Sequence, residues 1–271
     1  MEAPDQEAVG TMTEAENHAS STGEASTDQI LTELSGDTLT VTLNRPEVRN
    51  AQTPQMWRKL ASIAHGIPSQ VRFVLLTGAG VDFSAGLDRA VLADTGADGM
   101  ISALQADATG FIESAQEGFR AWQQIPQTVI AAVRGNVIGA GFQLALASDI
   151  LIAEPNARFA LRETAIGLVP DLGGTGALID ALGYRRTFAL CATGEFLSAP
   201  DAADAGLVHA LHDDLASGVA DLCDRLRGID AGAVSDVKRL LRQVASDQES
   251  WKAEREIQVE RLRVLFSEAR P

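Results

Sequence analysis

Residues 130–144 read IAAVRGNVIGAGFQL, an apolar run of β type that leads into small residues and then into a helix pattern predicted for 141–148. Further out, residues 74–88 repeat the arrangement as VLLTGAGVDFSAGLD. Small residues let a backbone approach a ligand closely, and a helix that begins there has free N–H groups. Two such groups that converge on one oxygen make an oxyanion hole, which is how we interpret this pair of segments.

The overall composition bounds the possible partners. The chain has 271 residues, 45% of them hydrophobic, a net charge of −15 and a pI near 4.6. Nucleic-acid binding needs a basic stripe, so no such partner is expected, although a few local arginines could still hold a small anion. No stretch approaches the roughly 18 apolar residues of a membrane span, and no secretory leader is recognisable. We therefore expect no membrane partner and a cytoplasmic location.

Several function classes are excluded by motif. The segments GAGVDF and GAGFQL fail the dinucleotide fingerprint at the third glycine, and no GxxxxGK phosphate loop is present. Ser84 does not lie in GxSxG and has no histidine placed to serve it. The four histidines lack metal-ligand spacing, so no metal site is predicted. Cys191 and Cys223 form no motif and are interpreted as reduced core thiols.

Three regions follow one another along the chain. Residues 1–28 contain seven acidic residues, no Lys or Arg and no apolar period, which predicts a disordered acidic tail. Residues 29–210 alternate strand and helix patterns and form a predicted α/β core. Residues 211–271 contain three long helical patterns without a strand between them, which predicts a helical C-terminal subdomain. Its charged last helix either packs on its own domain or contacts another subunit.

Hydrophobic period and turn residues also locate the elements. Residues 90–110 are rich in Gly, Asp and Ala and are predicted as a mobile loop or broken helix. Predicted strands are 38–43, 71–77, 128–133 and 150–153. Predicted helices are 53–63, 111–124, 141–148, the short pair 173–182 and 184–191, 200–205, and the C-terminal set 214–227, 231–244 and 247–266.

Four motifs, taken together, resemble the crotonase superfamily, also called the enoyl-CoA hydratase/isomerase family. They are NRPEVRNA from Asn44, FSAGLD from Phe83, IGAGFQL from Ile138 and LVPDLGGT from Leu168. The similarity runs from about Leu31 to the C-terminus in the right order. It implies a spiral of ββα units, C-terminal helices that build a homotrimer or a dimer of trimers, and a coenzyme A thioester as substrate. No separate cofactor is implied, since coenzyme A is part of the substrate.

The resemblance also assigns the binding residues. The thioester oxygen would be held by the backbone N–H groups of Leu87 and Ala140; alternatively, Ala140 and Gly141 are simply small enough for close packing. Arg49 would supply positive charge to the coenzyme A phosphates, unless it is an ordinary surface arginine. Asp88 could instead be the N-cap of the following helix. The residues implied to cradle coenzyme A are Arg49, Ala51, Ala85, Gly86 and Asp88.

The catalytic carboxylates are where the sequence departs from the hydratase pattern. Hydratases of this family carry two glutamates; the first position is Gln143 here, and the second is Glu163. A neutral amide can orient a group but cannot exchange a proton at neutral pH. Asp171 stands where family members that move double bonds place an aspartate, although it could also be a turn residue before a glycine pair. The catalytic candidates are therefore Glu163, Asp171 and Gln143.

The favoured interpretation is an enzyme acting on the double bond of an unsaturated acyl-CoA, in fatty acid or related acyl-CoA metabolism. Isomerisation is favoured over hydration because one or two acids suffice for it. Two alternatives stay open. One is a non-catalytic acyl-CoA-binding protein, suggested by Gln143; the other is an acyl-CoA hydrolase or decarboxylase on the same scaffold.

Overall fold

Two β-sheets form the centre of the fold. The structure is a computed structural model that describes residues 28–93, 99–245 and 248–268, so the predicted acidic tail lies outside the described residues except for Asp28. The described strands are β1 Ile30–Ser35, β2 Thr38–Leu43, β3 Phe73–Gly78, β4 Thr128–Val133, β5 Asn136–Ile138, β6 Ile150–Ala153, β7 Arg158–Ala160, β8 Leu197–Ser198 and β9 Ala210–Leu211. One sheet has the order β1-β2-β3-β4-β6-β9 and the other β5-β7-β8.

From β4 to β7, consecutive strands alternate between the two sheets. β4 lies in the first sheet and β5 in the second, and β6 and β7 repeat this arrangement. Within the first sheet only the β1–β2 pair is antiparallel. A helix follows each pair, so the chain winds through repeated strand–strand–helix units. The predicted α/β spiral is confirmed by this topology.

The helices agree with most of the sequence-based boundaries. They are α1 Pro54–His65, α2 Met100–Gln124, α3 Ala140–Leu146, α4 Gly174–Thr193, α5 Ala199–Asp204, α6 Leu215–Arg227, α7 Ala231–Ala245 and α8 Gln248–Glu268. Thr53 caps α1 by accepting a hydrogen bond from the Met56 N–H, and Pro54 occupies the first turn, where its missing N–H does no harm.

Two helices contain a residue with non-helical backbone, and both interruptions lie in regions where the sequence predicts a break. α2 begins eleven residues before the predicted start at Phe111 and has non-helical backbone at Asp107. Over residues 100–110 the broken helix, one of the two alternatives predicted for 90–110, is therefore the one that forms. The Asp107 carboxylate accepts a hydrogen bond from the Gly110 N–H at 2.9 Å and so caps the second half of the helix. In α4 the break lies at Gly183, with φ 72°, between the two short helices predicted there.

The strands that sequence analysis did not predict include β5 and β7, each of three residues. Three residues are too few to establish a period of two. β1 was also missed, although it pairs with all of β2 and buries Ile30. These strands matter because β5 leads directly into the glycine segment that opens α3.

The C-terminal helices pack against the core of the same chain. α6 buries Leu215, Val219 and Leu222 on the outer face of the first sheet. α8 buries Val259 and Leu262 against the first half of α2. No helix in the described ranges is long and apolar enough to cross a membrane.

A network of buried polar side chains joins the first glycine loop to its neighbours. Asn50 is fully buried and donates to the carbonyls of Ala79 and Asp82, each at 2.8 Å. The Ser84 hydroxyl donates to the Asn50 carbonyl at 2.8 Å. The Ser84 backbone also pairs with β5, accepting from the Ile138 N–H at 2.9 Å. This pairing brings the two glycine segments of the sequence together.

Candidate active site

The Gly86–Leu87 and Gly139–Ala140 peptides approach each other closely. A Cβ added to Gly86 would lie 2.7 Å from the Ile138 carbonyl oxygen and 3.5 Å from the Ala140 nitrogen. Gly86 and Gly139 both have positive φ, 87° and 54°, which other residues rarely adopt. Among the described residues, neither Leu87 nor Ala140 donates its N–H to a partner in the protein. Both line one cavity, as the predicted pair of donors to a single oxygen requires.

A cavity of about 490 Å³ extends from these donors. Its wall is mostly apolar and comes from α1, α2 and the segment before α4. The apolar lining includes Trp57, Met100, Phe111, Ile112, Ile166 and Leu168. Six polar side chains interrupt this wall: Arg89, Gln143, Arg162, Glu163, Asp171 and Gln258. A mostly apolar cleft with a few convergent polar groups is the usual form of a small-molecule site.

Glu163 is a carboxylate with unusual proton affinity. Its Oε1 accepts a hydrogen bond from the Gln143 amide nitrogen at 2.9 Å, while its Oε2 is buried without a partner among the described residues. Burial raises the pKa of Glu163 from 4.5 to about 7, although hydrogen bonds from backbone groups and from Gln143 act in the opposite direction. The carboxyl group can therefore accept or release a proton near neutral pH.

Asp171 lies on the same cavity and is buried, with 7% of its surface exposed. Burial raises the pKa of Asp171 well above its ordinary value, and the nearby charges of Glu163 and Glu254 raise it further. Three carboxylates in one dry region cannot all be ionised, because like charges at low dielectric repel strongly. Because the Glu163 charge raises the pKa of Asp171, the arrangement favours a protonated Asp171 whenever Glu163 is ionised.

Gln143 joins these two acids. Its Nε2 donates to Glu163, and its Oε1 accepts from the backbone N–H of Leu172 at 2.8 Å, next to Asp171. The side chain is buried, with 1% of its surface exposed. The amide therefore links the Glu163 carboxylate to the backbone beside Asp171. Its orienting role in catalysis stays a prediction.

The residues predicted to cradle coenzyme A lie partly at the cavity and partly outside it. Ala85 and Gly86 line the cavity, whereas Arg49, Ala51 and Asp88 do not. Arg49 connects to the cavity loop through its backbone, since its carbonyl accepts from the Ala85 N–H at 2.8 Å. Its side chain is 68% exposed, with Nε 3.8 Å from an Asp82 oxygen.

Asp88 makes two contacts that sequence analysis considered only in part. Its Oδ1 accepts from the Ala90 N–H at 3.0 Å, the capping contact that was the alternative to a binding role. Its Oδ2 pairs with the Arg45 guanidinium at 2.9 Å. Arg45 also donates to the Ala51 carbonyl at 2.7 Å. Asp88 thus fixes the loop that carries Leu87.

The site geometry agrees with a comparison against known families. The family model for enoyl-CoA hydratase/isomerase matches residues 33–269, nearly the whole chain. The chain belongs to the enoyl-CoA hydratase/isomerase family.

Individual relatives within the enoyl-CoA hydratase/isomerase family include both kinds of activity. The chain is 36% identical over 176 residues to the probable enoyl-CoA hydratase of Rhodobacter capsulatus, covering 65% of each protein. It is 36% identical over 189 residues to 1,2-epoxyphenylacetyl-CoA isomerase of Escherichia coli, covering 68% of this chain and 70% of that enzyme. The matched region thus spans about two thirds of these relatives.

One solved structure of a family member supplies a ligand. A protein of Thermobifida fusca YX assigned as an enoyl-CoA hydratase was solved in complex with acetoacetyl-CoA. It superposes with a TM-score of 0.75 at 36% identity, covering 87% of this chain and 94% of that one.

Several residues of the candidate site in the present protein were not predicted from its sequence. Gln258 of α8 lines the cavity, and Glu254 on the same helix is buried close to both catalytic candidates. No local pattern could reveal them, because their partners lie about 80 residues earlier in the chain. Arg89 and Arg162 also line the cavity; Arg89 adjoins the FSAGLD motif and could have been found there.

Proposed function

We propose that this protein acts on the double bond of an unsaturated acyl-CoA thioester and that isomerisation is its main reaction. One observation carries the proposal: two carboxylates with raised pKa, Glu163 and Asp171, line the same apolar cavity as two free backbone donors. The acetoacetyl-CoA bound by the Thermobifida fusca relative supports a thioester as the ligand.

In the proposed reaction the thioester oxygen lies between the N–H groups of Leu87 and Ala140. Ionised Glu163 removes a proton from the α-carbon of a 3-enoyl-CoA, and the electrons move into a dienolate whose oxygen is stabilised by the two donors. Each such donor is worth about 3 kcal/mol in the barrier. The apolar wall excludes water and so strengthens these interactions.

The second half of the proposed reaction returns the proton farther along the chain. Protonated Asp171 delivers its proton to the γ-carbon, and the double bond moves into conjugation with the thioester. Glu163 is then protonated and Asp171 ionised. Transfer of one proton from Glu163 to Asp171 then restores the starting state, and the burial that raises the pKa of Asp171 favours its protonated form.

Hydration is the second candidate reaction. The Rhodobacter relative bears the name of a hydratase, and Glu163 alone could direct a water to the β-carbon. Against this, both polar ends of the Gln143 amide are used within the protein. The amide keeps a second N–H that could contact a water, but it cannot exchange a proton as the first hydratase glutamate does.

Three further parts of the proposal concern the ligand and the alternatives. We place the coenzyme A moiety along the loop of Arg49, Ala85 and Asp88, where Arg49 offers an exposed positive charge. A non-catalytic acyl-CoA-binding protein would bind the same ligand without turnover. A hydrolase or decarboxylase would release free coenzyme A or carbon dioxide.

The test measures the enoyl-thioester absorbance with a 3-enoyl-CoA and with a 2-enoyl-CoA as substrates. We expect Glu163→Gln to lower both activities by about 10²–10⁴-fold with acyl-CoA binding retained, because the thioester contacts come from backbone. Asp171→Asn should lower isomerisation more than hydration, because only isomerisation needs a second proton carrier. Glu195→Gln, at an exposed glutamate, is the matched control. Binding without turnover by the wild type would favour the binding-protein alternative, and a fully active Glu163→Gln would contradict the site.

A further inference from the structure

The segment 169–175, which carries Asp171, is held in place by side chains from other elements. Its Val169 N–H donates to Gln258 at 3.0 Å, and its Leu172 N–H donates to Gln143 at 2.8 Å. The Asp171 carbonyl accepts from Gln116 at 2.8 Å. None of these partners is a neighbour in sequence, so the position of Asp171 depends on tertiary contacts.

Glu254 of α8 makes the largest share of these contacts. Its Oε2 accepts from the Gly173 N–H at 2.7 Å, and its Oε1 accepts from the Thr175 N–H at 3.3 Å and from the Thr175 hydroxyl. The residue is buried, with 6% of its surface exposed. A buried carboxylate with three donors is a strong and directional attachment.

The helix behind this segment has no cap of its own. α4 begins at Gly174, and its N-cap position is Gly173, which has no side chain to accept from the first turn. Glu254 takes that role from 81 residues away in the chain. A negative charge at a helix N-terminus is also favoured by the helix dipole. The same carboxylate therefore fixes both α4 and the loop that precedes it.

Further contacts tie α8 to this segment. The Gln116 amide donates both to the Asp171 carbonyl and, at 3.1 Å, to the Trp251 carbonyl of α8. The Trp251 ring lies against Gly173 so closely that an added Cβ would be 2.0 Å from it. Displacement of Glu254 would therefore shift the backbone that carries Asp171.

We propose that Glu254 is a positioning residue for the proton transfer, which holds the backbone of the Asp171 segment so that Asp171 and Glu163 face the same acyl carbons. This inference rests on the proposed function. Glu254 touches neither the acyl chain nor the thioester in this role, because it does not line the cavity. It acts through Gly173 and Thr175.

The charge of Glu254 gives this role a signature that packing alone would not have. Its charge raises the pKa of both Glu163 and Asp171. Burial raises the pKa of the Cys191 thiol on α4 to about 11, and the charges of Glu163 and Glu254 contribute to this rise. Arg255 of α8 pairs with Glu113 of α2 at 3.1 Å. Arg162 lies beside Glu163 at the cavity and is exposed.

The experiment compares Glu254→Gln with Glu254→Asp and with the matched control Glu256→Gln, an exposed glutamate of α8. We expect Glu254→Gln to lower kcat for 3-enoyl-CoA isomerisation about 10- to 100-fold with KM changed less than about threefold. The acid limb of its pH profile should move to lower pH, because removing a negative charge lowers the pKa of Glu163. Glu254→Asp keeps the charge but not the reach, so it should lose kcat with the acid limb in place.

Wild-type kcat and an unmoved acid limb in Glu254→Gln would overturn the proposal. If that variant does not fold, Thr175→Val decides, because it removes one donor to Glu254 and leaves the charge. A folded Thr175→Val with wild-type kcat overturns the proposal, and a reduced kcat restored by Thr175→Ser supports it.

Failure of the proposed function would be seen separately, as a wild type that turns over no enoyl-CoA. In that case, hydrogen exchange of backbone amides tests whether Glu254 holds the Asp171 segment. The Gly173 and Thr175 amides should exchange faster in Glu254→Gln than in wild type, and unchanged protection of both amides would overturn the inference.

Discussion

The Gln143 amide shows how one atom exchange can change what an active site does. An ionised glutamate at this position could accept from the Leu172 N–H but could not donate to Glu163. The amide does both, at 2.8 and 2.9 Å. The site therefore has a firmly held Glu163 in place of a second glutamate that could handle water.

The Ala140 N–H can be removed without breaking its helix. Ala140 is the first residue of α3, a position where proline fits because the N–H has no helical partner. We expect Ala140→Pro to lower turnover about 10²–10³-fold, the usual cost of one lost oxyanion donor. Ala140→Gly keeps the N–H and should stay within about tenfold of wild type. Steady-state rates with a 3-enoyl-CoA decide, and equal rates for the two variants would argue against Ala140 as a donor.

Glu163 should also make stability depend on pH. Its pKa is about 7 in the folded protein and 4.5 ordinarily, so the folded state holds a proton that the unfolded chain releases between those values. The free energy of unfolding therefore falls as pH rises through this window, by at most about 3 kcal/mol. Glu163→Gln removes this loss and should be more stable than wild type at about pH 8 but not at about pH 4.5.

Urea unfolding at both pH values checks this expectation. Glu195→Gln, at an exposed glutamate, serves as the control and should match wild type throughout. A Glu163→Gln protein that is less stable than wild type at about pH 8 would show that Glu163 is ionised and well solvated in the folded state.

Among the elements, the start of α4 is the most constrained. Gly173 has φ 83°, and the ring of Trp251 fills the space where a Cβ would lie. Gly194, which follows the last residue of α4, has φ 65° in the same left-handed region, and an added Cβ there would lie no closer than 3.4 Å to its neighbours. Gly173 and Gly194 therefore share the left-handed backbone conformation and differ in packing.

This pair gives a test by unfolding. Gly194→Ala should cost about 1 kcal/mol, the price of a left-handed conformation for alanine. Gly173→Ala should cost at least about 2 kcal/mol more, because Trp251 must move as well. Equal losses in denaturant titrations would mean that α8 does not pack on Gly173 in solution.

An element could be predicted from the sequence when the contacts that fix its conformation join residues close together in the chain. Gly183 and the glycines of the two segments signal their conformation locally, so the break in α4 and the approach of these segments were accessible from sequence. β5 and β7 are too short for a period. Glu254 could not be assigned, because nothing near it in sequence indicates that α8 returns to the beginning of α4.

At the scale of the whole molecule, the surface is acidic but carries exposed apolar residues. Tyr184 and Phe188 stack on one another on α4, with ring centroids 6.0 Å apart, and are 69% and 60% exposed. Leu240 and Leu241 of α7 are about equally exposed. Large exposed apolar groups of this kind mark contact surfaces. α8, in contrast, buries Val259 and Leu262 within its own chain.

We therefore expect a closed trimer or hexamer in solution, formed through α4 and α7 more than through α8. Sedimentation should give a multiple of the 28.6 kDa chain, and a monomer at micromolar concentration would contradict this expectation. Phe188→Glu should shift the assembly towards monomer. Val81→Glu, at an exposed valine after β3, should leave it unchanged.

The pairing of Ser84 with β5 has a consequence for folding. The N–H groups of Leu87 and Ala140 belong to segments far apart in the chain, joined by backbone bonds such as Phe83 N–H to the Arg134 carbonyl at 2.8 Å. Such non-local contacts form late, after helices have gained their local structure. A refolding chain should therefore regain helical circular dichroism before it regains turnover. The return of turnover would therefore report that the segment of Leu87 and the segment of Ala140 have packed together.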